Sequence, residues 1–404
     1  MTAKRYLFVF VLGALLVGGG GYLCVTYFPA LKPVVLPPPE DITTLLKDSN
    51  TTNFPLQLPP GFAISIYAKD LGKPRELTFG PSGLLVSVPS EGKILSLKDV
   101  DGDGVAETVT AIASNLDTPN GLATRCIGPC KLYVAERTAV SVFDFDEAGN
   151  AINRQVLFSL PPGGRHTTRS LLFLPGEKDQ LLVSVGSSCD VCHEQDPRYA
   201  SILLSHLDGK EPTIYASGLR NTVFMELQPV SGEVWGADMG RDNLGDDTPP
   251  DEINIIQQGK NYGWPICYGK NIHDTSFDKN TYIQDPCSAN QTVPSYRDIP
   301  AHSAPLGLSF IPEEGWPEDY WYNLLVAYHG SWNRTEPTGY KIERFKLDAN
   351  GNYLGQEDFI TGWLTKDGAL GRPVDILTLP GGTIYISDDK AGVVYKVRRT
   401  VQLN

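Results

Sequence analysis

A set of short phrases in this 404-residue chain concentrates the residue types that grip anions and move protons. They are Gly164-Arg165-His166-Thr167-Thr168-Arg169, Gly218-Leu219-Arg220-Asn221, Asp238-Met239-Gly240-Arg241-Asp242, Pro250-Asp251-Glu252-Ile253-Asn254, Asn261-Tyr262-Gly263-Trp264-Pro265, His329-Gly330-Ser331-Trp332-Asn333-Arg334 and Gly371-Arg372-Pro373-Val374-Asp375. Arginine offers a planar fork that matches a carboxylate, and a neutral histidine takes a proton from an alcohol near pH 7. Brought to one place, these residues suit an anionic, planar ligand and one general base.

Three other motifs have two readings each. Cys189-Asp-Val-Cys192-His193 matches the C-x-x-C-H pattern of haem attachment, but a disulfide within a loop is the favoured reading. Asp99-Val-Asp101-Gly-Asp103-Gly104 has the 1,3,5 oxygen spacing of a calcium loop, with Glu107 at position nine; the plain alternative is an acidic turn. His302, in Ala-His-Ser-Ala-Pro-Leu-Gly, either lines a pocket or makes a structural hydrogen bond.

The elements that must carry these phrases follow from an internal repeat. One phrase recurs as Lys73-Pro-Arg-Glu-Leu-Thr-Phe, Thr118-Pro-Asn-Gly-Leu-Ala, Thr168-Arg-Ser-Leu-Leu-Phe-Leu-Pro, Leu219-Arg-Asn-Thr-Val-Phe-Met, Ala304-Pro-Leu-Gly-Leu-Ser-Phe and Arg372-Pro-Val-Asp-Ile-Leu. A second follows each copy: Gly83-Leu-Leu-Val-Ser-Val, Lys131-Leu-Tyr-Val-Ala-Glu, Gln180-Leu-Leu-Val-Ser-Val, Glu233-Val-Trp-Gly-Ala-Asp, Asn323-Leu-Leu-Val-Ala-Tyr and Thr383-Ile-Tyr-Ile-Ser-Asp. A third strand often comes next, as at Gly92-Lys-Ile-Leu-Ser-Leu, Tyr340-Lys-Ile-Glu-Arg-Phe and Gly392-Val-Val-Tyr-Lys-Val. Several short strands repeating at roughly 50 residues predict an all-β fold, a six-bladed β-propeller, rather than the shorter repeats of a β-solenoid. The 40 Gly and 31 Pro supply the turns. The wider gap between the fourth and fifth copies predicts an insertion over residues 262–302. In a propeller, loops from successive blades meet at one mouth of the central channel, which would gather the phrases above.

Ahead of the repeats, residues 6–31 carry no charge, and Tyr6–Phe28 is long enough for one transmembrane helix. Lys4 and Arg5 precede it, which orients residues 1–5 to the cytoplasm and exports the rest. A cleaved signal peptide is the alternative. The expected order is a cytoplasmic start (1–5), a signal anchor in the inner membrane (6–28), a Pro-rich linker (29–53) and a periplasmic propeller (54–404). The formal charge of −13 argues against nucleic acid as a partner. Six of the seven Cys lie beyond the apolar run as the near pairs Cys126/Cys130, Cys189/Cys192 and Cys267/Cys287. Export makes disulfides the natural reading, and proximity suggests local pairing.

The combination of Leu-Arg-Asn, Asp-Glu-Ile-Asn with Asn-Tyr-Gly-Trp-Pro, His-Gly-Ser-Trp-Asn-Arg and Gly-Arg-Pro-Val-Asp resembles the exported pyrroloquinoline-quinone (PQQ) sugar dehydrogenases, nearest the L-sorbosone and pyranose dehydrogenase group, over Phe54–Arg398. The resemblance implies a hydride transfer from a sugar, sugar aldehyde or polyol to PQQ with Ca²⁺ assistance. Electrons would then pass to a cytochrome or membrane quinone. It implies His166 as the base, Arg220 and Asn221 against the quinone, Arg372 on a cofactor carboxylate, and His329, Trp332 and Arg334 in a pocket-lining loop. It also implies Gly240 and Arg241 as backbone ligands of Ca²⁺, and Asp251, Glu252 and Tyr262 as a second calcium region. One departure is plain: where the glucose enzymes carry an acidic partner for the histidine, this chain reads Val-Ser-Val-Gly-Ser187-Ser188. Two rival classes remain on the sequence: a calcium-dependent propeller lactonase, and a propeller that binds a partner without catalysis.

Overall fold

The computed structural model describes residues 49–176 and 179–400. The expected cytoplasmic start, the span 6–28 and residues 29–48 of the linker lie outside the described residues. Among the described residues no helix is long and apolar enough to cross a membrane.

Six four-stranded antiparallel sheets form the blades of a propeller. The innermost strands are Leu77–Gly80, Gly121–Arg125, Leu171–Phe173, Thr222–Leu227, Pro305–Phe310 and Pro373–Leu379. Each touches the next in order, and the last touches the first, so the ring closes. These strands are the six copies of the first repeat phrase. The second strands, Gly83–Val88, Lys131–Ala135, Leu181–Val185, Val234–Asp238, Leu324–Tyr328 and Thr383–Asp388, are the copies of the second.

Blade stacking explains why the repeats read as runs rather than alternations. A second strand is covered on both faces by neighbouring blades, so Leu181–Val185 and Leu324–Tyr328 are buried throughout. An outer strand faces water, so Tyr353–Ile360 alternates and Ala151–Ser159 is largely exposed. One apolar cluster fills each blade interface. Tyr385 and Val394 of the last blade meet Leu77 and Val86 of the first. Val223 and Trp235 of blade four meet Leu308 and Val326 of blade five.

Two features were not legible as repeats. The strand Phe62–Ala68 comes before the first blade in sequence but is the outermost strand of the last, pairing antiparallel with Val393–Arg399 in the register Phe62↔Arg399 and Ile64↔Val397. Phe62 and Ile64 are buried there, each contributing about 2 kcal/mol by apolar burial, and the ring is latched by joining its two ends. The segment expected as an insertion between blades lies inside blade four. It leaves after Asp251–Ile256, forms the hairpin Cys267–Tyr268 with Ile272–His273, and returns as the blade's fourth strand, Arg297–Ile299. All three expected local disulfides are formed, Cys126–Cys130, Cys189–Cys192 and Cys267–Cys287.

Candidate active site

In five of the six blades the entry to the inner strand is anchored by a side chain at or just after the end of the second strand. Ser87, Ser184 and Ser387, at one repeat position, accept backbone N–H bonds from Glu76, Ser170 and Asp375 at 3.0, 3.0 and 3.1 Å. The next anchoring position is acidic in three blades. Glu136 accepts from the N–H of Asp117 at 2.8 Å. Asp238 accepts from those of Arg220 and Asn221 at 3.1 and 2.8 Å, and from the Thr222 hydroxyl at 2.8 Å. Asp388 accepts from that of Arg372 at 2.8 Å. Hydrogen bonds to a charged group contribute about 1.5–3 kcal/mol each, so these buried carboxylates fix the backbone of Arg220, Asn221 and Arg372. Burial raises the Asp238 carboxyl to about 6.

These entry turns surround a cavity of about 440 Å³ at one mouth of the channel. Arg75, Arg165, Arg220 and Arg372 line it, with His166, His302, His329, Asn221, Asn333 and Trp332; Asp242 and Asp251 are its acidic members.

His166 Nδ1 is 2.9 Å from Ser187 Oγ. The Ser187 hydroxyl donates its single hydrogen to the carbonyl of Cys189 at 2.6 Å, so toward His166 it accepts. The imidazole proton therefore sits on Nδ1, and Nε2 is left with a free lone pair. Burial, together with the neighbouring Arg220 and Arg165, lowers the His166 pKa to about 3, so the ring is neutral throughout the physiological range.

Arg220 is buried and held on several sides. Nε donates to the Asp190 carbonyl at 2.9 Å, one Nη to the Met239 carbonyl at 3.2 Å, and the other to Asp190 Oδ1 at 2.6 Å. Asp242 Oδ2 is 3.4 Å from the same Nη and takes Arg165 at 2.6 Å. Arg75 is paired with Asp389 at 2.9 Å. Among the described residues, Arg372 is the cavity arginine that makes no ion pair. Its Nε donates to the His329 carbonyl at 2.9 Å and one Nη to the Gly330 carbonyl, and the guanidinium lies 5.5 Å from the Tyr340 ring centre. His329 Nε2 is 2.8 Å from Asp389 Oδ1. Burial lowers the His329 pKa to about 4. Asn221 Oδ1 and Asn333 Oδ1 are buried in this lining without a hydrogen-bond partner among the described residues.

At the cavity edge, Asp251 Oδ1 accepts from the Gly240 N–H at 2.8 Å and Oδ2 from the Ala304 N–H at 2.9 Å. Burial raises Asp251 to about 7. A Cβ on Gly240 would stand 2.7 Å from the Pro250 carbonyl oxygen, so this turn is built for glycine.

The sequence profile of the TrAA12-like family matches residues 56–400. The chain belongs to the TrAA12-like family. An uncharacterized protein of Borreliella burgdorferi is 30% identical over 391 residues, covering 92% of this chain and 97% of its own. A pyrroloquinoline quinone-dependent sugar dehydrogenase of Hypocrea jecorina is 26% identical over 245 residues, 52% of this chain and 56% of its own. The alignment thus spans little more than half of that fungal relative. Among solved structures, the holo form of the pyranose dehydrogenase PQQ domain from Coprinopsis cinerea superposes with a TM-score of 0.73 at 21% identity, covering 86% of this chain and 98% of its own. A calcium structure of a Trichoderma reesei enzyme of family AA12 gives 0.72 at 22%, covering 87% and 100%.

For this TrAA12-like chain, the cavity unites His166, Arg220, Asn221, His329, Trp332, Arg372, Gly240 and Asp251. Other expected site residues do not line it. Arg334 turns to the Asp246 carbonyl and to Asp247 at 2.7 Å. The Arg241 guanidinium leaves the mouth for Asp274 at 2.7 Å, which leaves its backbone carbonyl, the atom expected to meet Ca²⁺, in the Gly240 turn. Glu252 accepts from the Gly269 N–H at 2.6 Å and from Asn254 at 2.9 Å, and burial raises it to about 8. The Tyr262 hydroxyl is used inside its own blade, between the Ile255 carbonyl at 2.5 Å and the Gln257 N–H at 2.9 Å. Asp99, Asp101 and Asp103 gather with Glu107 in the turn between Lys93–Lys98 and Thr108–Ala113, on the outer part of blade one and away from the mouth. The sulfurs of Cys189 and Cys192 are spent on each other, which removes the thioether chemistry that haem attachment needs. His302 lines the cavity and is also hydrogen-bonded, with Nε2 2.7 Å from the Gly245 carbonyl.

Sequence reasoning missed Arg75, Asp190 and Asp389, and quoted Ser187, Asp242 and Asn333 without giving them a role. Arg75 had a signal. It lies two residues before Leu77, the repeat position of Asn221 before Val223 and Leu306 before Leu308, which also line the cavity, whereas Asn120, Arg169 and Val374 at that position do not.

Proposed function

We propose that this chain is a PQQ-dependent sugar dehydrogenase that oxidises a sugar, sugar aldehyde or related polyol. The observation that carries this is the free Nε2 of a neutral His166 in a cavity that also offers an arginine with no carboxylate partner. Arg372 meets a carboxylate of a planar tricarboxylate with a charged fork, while the orphaned Asn221 Oδ1 and Asn333 Oδ1, which can only accept, suit a ring N–H of the cofactor or a hydroxyl of the sugar. PQQ, when bound, supplies an ortho-quinone that takes up the two electrons of the substrate. Its holders would be Arg220, Asn221 and Arg372, with Trp332 at the rim. The Gly240 turn and the Asp251 carboxylate offer the hard oxygens that Ca²⁺ prefers.

His166 Nε2 accepts the hydroxyl proton of the substrate, while Ser187 keeps the other ring nitrogen protonated. Arg220, fixed by Asp190 and the Met239 carbonyl, offers positive charge where negative charge develops during oxidation. We place the reaction outside the cytoplasm, with residues 6–28 as the anchor and a cytochrome or membrane quinone as the electron acceptor.

The test is titration of the purified ligand-free protein with PQQ and Ca²⁺, followed by dye reduction with a panel of sugars. Saturable quinone binding and sugar-dependent reduction are expected. No binding at tens of micromolar would sink the reading, and lactone hydrolysis without quinone would replace it with a hydrolase.

A further inference from the structure

After the second strand of blade three, Leu181–Val185, the chain turns through residues 186–194, and the Cys189–Cys192 disulfide closes that turn. No role assigned above uses this disulfide, yet the turn touches both residues on which the proposed chemistry depends. On the His166 side, the backbone N–H groups of Arg165 and His166 donate to the carbonyls of Ser188 and Ser187 at 2.8 and 3.2 Å. On the Arg220 side, the Ser187 N–H donates to the Arg220 carbonyl at 2.8 Å. Asp190, inside the disulfide ring, takes Arg220 with its carboxylate and with its carbonyl. The same carboxylate accepts from the Asp242 N–H at 2.9 Å. Glu194 clamps the turn from behind, accepting from the Ser188 N–H at 2.7 Å and from the Ser188 hydroxyl at 2.6 Å.

The direction of the bonds matters as much as their number. Ser187 has one hydroxyl hydrogen, and the carbonyl of Cys189 claims it. While that holds, Ser187 meets His166 only as an acceptor, and Nε2 keeps its lone pair. Were the Cys189 carbonyl to swing away, the hydroxyl could donate to Nδ1 instead. The ring proton would then move to Nε2, the atom that must receive a proton from substrate.

We propose that the Cys189–Cys192 loop is the positioning element of this site: it holds the Cys189 carbonyl on Ser187, which sets the tautomer of His166, and it holds Asp190 on Arg220. The cysteines, Ser187 and Asp190 are positioning residues and not catalytic ones. The consequence for turnover rests on the dehydrogenase reading; the consequence for the tautomer does not.

The test compares the full chain with a Cys189→Ser/Cys192→Ser variant, both ligand-free, by nitrogen NMR of ¹⁵N-labelled histidine at pH 7. The parent is expected to carry its His166 proton on Nδ1, and the variant to populate the Nε2–H form. With PQQ and a sugar, kcat of the variant should fall about 100-fold, the scale of a misplaced catalytic group, with KM moving much less. A folded variant that keeps the Nδ1–H signature and the parent's kcat overturns the proposal. If the double variant does not fold, phosphine reduction of the native chain, followed by the same spectra, decides the matter by the same signature. A parent that binds no quinone while the tautomer still depends on the disulfide refutes the dehydrogenase reading and upholds the loop. Quinone turnover in the parent with an unchanged tautomer in the variant does the reverse.

Discussion

His329 Nε2 stands 2.8 Å from Asp389 Oδ1, and Oδ2 of the same carboxylate holds Arg75 at 2.9 Å. The carboxylate-backed histidine of the cavity is therefore not His166, whose ring partner is the hydroxyl of Ser187. Although burial works to raise it, Asp389 is held well below the usual carboxylate range by His329 and Arg75. It stays ionised and fixes the His329 ring.

This separates the roles of the two histidines. His166→Ala is expected to lower turnover by about 10²- to 10⁴-fold, the usual contribution of a general base, with little change in quinone affinity. His329→Ala should weaken quinone binding while keeping turnover within about tenfold at saturating quinone, because its ring braces the cavity wall rather than presenting a base. Equilibrium quinone titration alongside steady-state dye reduction checks both. The opposite pattern would exchange the assignments.

His166 should not titrate where histidines usually do. Its pKa is lowered to about 3 by burial and by Arg220 and Arg165, so in the ligand-free protein its NMR shifts should stay constant from pH 8 to pH 5. The sign for stability follows. The unfolded chain takes up this proton near the ordinary value of 6.5 and the folded chain does not, so this group favours unfolding increasingly as pH falls from about 6.5 toward 3. A His166 titration midpoint near 6.5 would contradict the burial and charge described above.

Arg372 should matter for affinity. Arg372→Leu is expected to weaken quinone binding roughly 10- to 100-fold, the loss of one charge-assisted fork. Arg372→Lys should recover only part of this, since an ammonium cannot make two parallel bonds to a carboxylate. Isothermal titration measures it, and a change below about threefold in the Leu variant would remove Arg372 from the cofactor's holders.

Deeper in the channel, Glu76, Glu226 and Asp375 line a second cavity of about 210 Å³. Burial raises Glu226 and Asp375 each to about 7, and burial with the neighbouring Asp375 charge raises Glu76 well above its ordinary value. The folded state keeps a proton on Glu226 that the unfolded chain releases near 4.5, so stability is lost as pH rises from about 4.5 through 7. Glu226→Gln should leave stability unchanged at pH 4 and raise it at pH 8 by about 3 kcal/mol. Denaturant unfolding at the two pH values checks this. Equal stability of variant and parent at pH 8 would show that Glu226 ionises freely in the fold.

The blade plan was legible because a propeller repeats one local problem six times. Each second strand is buried on both faces, so Gly83-Leu-Leu-Val-Ser-Val and Gln180-Leu-Leu-Val-Ser-Val carry the same apolar run. Each inner strand begins at the mouth, so His166, Arg220, Asn221 and Arg372 could be assigned to one region from their repeat positions alone. The latch strand Phe62–Ala68 was not legible, because its partner lies more than 300 residues away and nothing local marks the pairing. The outer strand Arg297–Ile299 was hidden by the hairpin and disulfide that interrupt blade four.

By itself, then, the sequence determined the number of blades and the residue types available at the mouth, since both follow from periodicity; it suggested the local disulfides by proximity, and the structure forms them. Only the tertiary structure decided how the charges are spent. Among the described residues, Arg75, Arg165 and Arg220 are each paired with an aspartate, while Arg372 is not. Arg334 sits in the right phrase and turns away to an acid of another loop. His166 receives a hydroxyl where an acid was looked for, and that hydroxyl is oriented by a carbonyl inside a disulfide ring. Hydrogen bonds and ion pairs act over about 3 Å, and whether two loops come that close is set by the packing of separate blades rather than by any spacing along the chain.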